Sequence, residues 1–65
     1  MTKKEAIAEL VKLHKVVKNW RAEDAWHDAV RDRNDALFSF AFCVNCQDKD
    51  PGPWEVPPVP EGVVP

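Results

Sequence analysis

Apolar residues fall at Ala6, Leu10, Leu13, Val17 and Trp20, in steps that alternate between four and three. That is the spacing of one face of an α-helix. Ile7, Val11 and Val16 widen the face to an arc of roughly 200°, leaving Lys4, Lys12, Lys15 and Asn19 on the opposite side. An arc this wide exceeds what one neighbouring helix covers, so the first helix is expected to touch at least two other elements. Its start is marked by Thr2-Lys3-Lys4-Glu5, a capping-box spacing in which each side chain can accept from the other residue's backbone N–H. The pattern predicts a helix over residues 3–19.

Past Trp20 the same phase meets only Asp24, His27, Arg31 and Asn34. A second stripe runs through Trp26, Val30, Leu37, Phe40/Ala41 and Val44, displaced by about 100° around the helix. A single rod would expose both stripes unless another chain covered them. A turn near residues 19–24 lets the two stripes face each other, although neither Gly nor Pro marks it. We therefore expect a second helix over about 22–44, folded back as a hairpin. Residues 37–44 admit two periods. As helix, Phe38 and Phe42 form an i, i+4 pair on a face away from Trp26 and Leu37. As strand, Phe38, Phe40, Phe42 and Val44 alternate with Ser39, Ala41 and Cys43. A lone strand has no partner in this chain, so the helix is the better reading, and it leaves both phenylalanines in need of cover. Ala22, Ala29, Ala36 and Cys43 recur every seven residues, an edge along which another backbone could approach closely.

The remainder, from Gln47 onward, contains all six prolines and both glycines. Proline there excludes a helix or a central strand and favours polyproline II and loop, with a turn at Asp50-Pro51-Gly52-Pro53. Trp54, Val56, Val59, Val63 and Val64 give this segment an apolar side that can dock on the hairpin or on a partner. The division expected is a helical hairpin domain over 1–46 and a Pro-rich extended arm over 47–65. A core this small rarely supplies more than ~3–5 kcal/mol without a staple or a second subunit. The fold class expected is accordingly all-α: a two-helix hairpin with a Pro-rich arm, completed by dimerisation into a helical bundle.

Charge sharpens the picture. Residues 1–21 carry five Lys and one Arg against two Glu, a balance of +4, and residues 22–65 carry two Arg and one Lys against nine acids, a balance of −6. A basic first helix is thus expected to pair with an acidic second one. The acidic half would repel phosphates, which makes nucleic acid an unlikely partner. No run approaches the 18 or so apolar residues of a membrane span. The N-terminus, charged throughout, lacks a signal-type apolar stretch, so a cytoplasmic, reduced setting is expected. The initial Met is read as the start of a complete small reading frame.

Four features of the sequence bear on chemistry. Cys43-Val44-Asn45-Cys46 is a single CxxC. Zinc would need two further ligands, with His14 and His27 the candidates. The knuckle glycine is absent, since Gln47 follows. A helix C-terminus is also the wrong end of the dipole for a redox thiolate. A small core Cys43 and an incidental Cys46 form the simpler reading, with no cofactor. His27 beside Asp24 and Asp28 could support acid–base chemistry, but no nucleophile or metal motif accompanies it, so an enzyme is not expected. Lys3, Lys4, Lys12, Lys15, Lys18 and Arg21 form a basic face without any nucleic-acid recognition motif. Pro57-Pro58-Val59-Pro60 has PxxP spacing but lacks the flanking Arg or Lys that orients such ligands.

What remains is a surplus of aromatic surface, the usual material of interface hot spots. The function expected is a small non-enzymatic protein-binding module, an inhibitor, adaptor or regulatory subunit. On size alone, an inhibitor of a host protein encoded by a phage or mobile element is a reasonable instance. Trp26, Phe38, Phe42, Trp54 and Val56 are the candidate partner-binding residues, and the partner is another protein, a second copy in a homodimer, or both. The alternative is a metal-stapled or nucleic-acid-associated regulator using Cys43, Cys46 and the basic helix.

Overall fold

The computed structural model describes residues 1–42 and 49–65. Among these it contains two helices and no strand: α1 over Lys3–Val16 and α2 over Ala25–Phe42. The two pack against each other as a hairpin. The ambiguity between hairpin and rod is thereby resolved.

α1 starts with the capping box expected of it. Glu5 N–H donates to Thr2 Oγ1 (3.1 Å) and Thr2 N–H donates to Glu5 Oε1 (2.8 Å). It ends at Val16, three residues before the end that the pattern predicted. Val17 turns to an extended conformation (φ −98°, ψ 120°), and the Lys18 and Asn19 amides donate to the Pro65 carbonyl oxygen at 2.8 and 2.9 Å. Two donors that a longer helix would aim along its own axis are captured by the end of the tail instead. Val17 and Trp20, whose spacing extended the helical signal, still reach the interior, but from irregular chain.

α2 starts at Ala25 rather than near 22 because Asp24 caps it. Its Oδ1 accepts the His27 N–H at 2.8 Å, the N-cap to N3 bond that satisfies an otherwise orphaned helix donor. Residues 37–42 are helical, so the strand alternative does not apply there. Cys43 and Val44, over which the helix was expected to continue, lie outside the described residues.

Two patches of core result. Ala6, Leu10 and Leu13 meet Leu37 and Ala41 in one, and Val17, Trp26 and Val30 form the other. Trp54 and Val56 pack against both. The tail is therefore the second element that the wide arc of α1 called for. It runs without helix or strand along the hairpin, with a β-turn closed by Val63 N–H on the Pro60 carbonyl (3.1 Å).

Arg33 holds these parts together. It is 6% exposed and lies in phase with Trp26, Val30 and Leu37. Nε and Nη2 donate to the Glu9 carboxylate of α1 at 2.6 and 3.1 Å. Nη1 and Nη2 also donate to the Pro51 and Gly52 carbonyls at 2.9 and 2.6 Å. The guanidinium lies 5.6 Å from the Trp54 ring centroid, within cation–π range. The turn that presents those carbonyls is itself fixed. Gly52 has φ +74°, and its N–H donates to Asp50 Oδ1 at 2.8 Å. Asp50 also pairs with the Met1 amino group.

This corrects the expected charge pairing. Among the described residues the ion pair between helices joins an acid of α1 to a base of α2, Glu9 to Arg33, and none of the α1 lysines is paired. Lys4, Lys12 and Lys15 point to solvent, whereas Glu9 and Arg33 flank the seam.

Removing one partner of a buried pair costs about 3–5 kcal/mol, comparable with the whole stability expected of a domain this size. Arg33→Ala, which also strands two tail carbonyls, is expected to abolish cooperative urea unfolding followed by circular dichroism. Glu9→Gln, which keeps an acceptor, is expected to lower the midpoint while leaving the transition cooperative. An unchanged Arg33→Ala midpoint would contradict the role assigned to this residue.

Candidate interaction surface

The outer side of the hairpin seam carries apolar groups that the core does not use. Phe38 and Phe42 are 57% and 52% exposed, and Ile7 and Val11 across the seam are 40% and 51% exposed. The two phenylalanine rings touch, centroids 4.9 Å apart and planes inclined by 46°. With Leu10, His14 and Lys15 they line a groove of about 430 Å³ that crosses both helices. Helical spacing dictates this arrangement. Ile7 and Val11 are four apart, as are Phe38 and Phe42, so each pair forms a short row parallel to the seam.

His14 closes one end of the groove. Its Nε2 is 3.1 Å from Asn34 Oδ1, and its ring lies against Trp20, centroids 5.1 Å apart. The imidazole is thus held by a neutral amide and an indole, in a helix-interface role.

The other candidate residues are placed differently. Trp26 is 5% exposed, and its Nε1–H donates to the Pro57 carbonyl at 2.8 Å. Trp54 and Val56 are half-buried and packed against both core patches. These three are held inside the chain, tail against hairpin, while Phe38 and Phe42 face outward. The structure therefore brings Trp26, Trp54 and Val56 together in one layer and leaves the phenylalanine pair on another.

His27 is 1% exposed. Nδ1 lies 2.7 Å from Asp24 Oδ2, and Nε2 is buried with no hydrogen-bond partner among the described residues. The Asp24 carboxylate can only accept, so Nδ1 is the donor of this bond. In this geometry one nitrogen is engaged and the other is shut off from solvent, so the pair acts as a cap for α2. Hydrogen bonds from the His27 backbone N–H and then from its ring hold the Asp24 carboxyl below the usual aspartate range. Among the described residues no group of three or more His, Cys, Asp or Glu side chains is placed to hold a metal ion. Cys43 and Cys46 lie outside the described residues. No described helix is long and apolar enough to cross a membrane.

Ile7, Val11 and His14 were not singled out by sequence as part of a binding surface. The signal available for the first two was that they widened the stripe of α1 beyond what a partner helix could cover. Comparison with known protein families, with characterised proteins and with solved structures finds no match for this chain.

Because folding lowers the Asp24 pKa, its contribution is fully present above the unfolded value of about 3.9 and is lost as pH falls through the lower folded value. Asp24→Asn keeps an acceptor at the cap but cannot carry the charge. Its urea midpoint is expected to fall less steeply than that of the wild type between roughly pH 5 and pH 2. Parallel acid limbs for the two proteins would show that Asp24 is not held as described.

Proposed function

We propose that this chain is a small non-enzymatic protein-binding module, an inhibitor, adaptor or regulatory subunit, whose binding site is the groove of Ile7, Val11, Phe38 and Phe42. The observation that carries the reading is the contacting pair of phenylalanine rings, both more than half exposed, set against two further exposed aliphatic side chains. A contiguous apolar patch with charged residues at its edge is the usual form of a protein contact, and aromatic side chains are the usual anchors within it. A groove between two helices accepts the apolar face of a third. The Pro-rich arm, on this reading, supports the module: its prolines and Trp54 engage the hairpin of the same chain and fix the helices that present the groove.

Native mass spectrometry of the tagged protein purified from its source cell tests the reading. A stoichiometric complex is expected for the wild type. Phe38→Ser and Phe42→Ser, which change exposed positions, are expected to lose it while keeping their helical circular dichroism. Recovery of the uncomplexed 7.4 kDa chain from wild type and variants alike would sink the proposal. A bound zinc lost on changing Cys43 and Cys46 to Ser would instead favour the metal-stapled alternative.

A further inference from the structure

The binding-module reading leaves open what fills the groove, and the charges along its two rows point to an occupant. On α1 the row is Lys4, Ile7, Val11 and Lys15, an apolar centre between two exposed lysines. On α2 the row is Arg31, Asp35, Phe38 and Phe42. The helices run in opposite directions, and the His14–Asn34 contact and the packing of Ala6 and Leu10 with Leu37 and Ala41 fix their levels. Val11 lies across the seam from Phe38, Ile7 from Phe42, and Lys15 from Asp35.

We infer that the occupant is a second copy of this chain, docked groove to groove about a two-fold axis parallel to the helices. This inference rests on the binding-module reading and names the partner of its site. Such an axis lays α1 of one copy over α2 of the other at the same level. Ile7 and Val11 then meet the Phe42 and Phe38 of the second copy, and Lys15 meets its Asp35, twice by symmetry. An axis across the helices would instead stack α1 on α1 and set the lysines of the two copies against one another. The charges therefore select one of the two ways in which the faces can pair. Lys4 and Arg31, the remaining charges of the two rows, are exposed and lie at opposite ends of the groove. The product is a four-helix bundle with both proline arms on the outside.

Sedimentation equilibrium of the full chain, up to on the order of 100 μM, tests the pairing. The wild type is expected at twice the 7.4 kDa chain mass, and Phe38→Asp at the single mass with unchanged helical circular dichroism. Lys15→Glu and Asp35→Lys leave the apolar surface intact, so they remain informative if Phe38→Asp fails to fold. Each alone is expected to weaken dimerisation about tenfold, and the two combined to restore it. A wild type that is monomeric throughout overturns the inference, as does a dimer indifferent to both charge reversals. If that monomer still yields a complex with another protein, lost in Phe38→Ser, self-pairing fails and the binding-module reading stands. If it yields none, both fail.

Discussion

A guanidinium placed between two helices and a proline-rich segment must have its donors matched, because burying it unpaired would cost more than a 65-residue chain can supply. Arg33 meets that demand with one carboxylate from α1 and two carbonyls from the turn after Asp50. The match works only if all three parts are in place together. Glu9 must lie on the seam, α2 must be in register with α1, and the Asp50–Gly52 turn must aim its carbonyls inward. One residue thereby couples the hairpin to its tail. The cation–π contact with Trp54 and the Trp26–Pro57 hydrogen bond extend the same coupling along the hairpin.

That coupling decides which aromatic residues are free. Trp26 and Trp54 serve the contact between tail and hairpin on one side of the molecule. On the opposite side of the seam, among the described residues, Ile7, Val11, Phe38 and Phe42 stay exposed. The described helices and tail do not enclose apolar stripes as wide as these.

Much of this was legible in the pattern of residues. The capping box at Thr2, the stripe of α1, the displaced stripe of α2 and the outward phase of Phe38 and Phe42 all follow from periodicities of three and four, which local geometry enforces. The helix ends were less legible. Val17 and Trp20 kept the helical spacing while the chain had already left the helix, since the bonds that hold Lys18 and Asn19 come from Pro65 at the far end of the sequence. Arg33 was overlooked for a related reason. A charge inside an apolar stripe is visible in the sequence, three residues after Val30 and four before Leu37. Its partners are a single Glu on another helix and two backbone carbonyls, and carbonyls carry no sequence signature. The same limit applies to Trp26, whose indole N–H donates to the Pro57 carbonyl, a partner with no sequence signature.

The claim on which the rest depends is that the tail is part of the core. Thermal unfolding of a chain ending at residue 48, followed by far-ultraviolet circular dichroism beside the full-length protein, tests it most directly. Without Pro51, Gly52, Trp54 and Pro57, Arg33 and Trp26 lose their partners, and the truncated chain is predicted to lose helix content and show no cooperative transition. A truncated chain that unfolds cooperatively at the full-length midpoint would contradict the account.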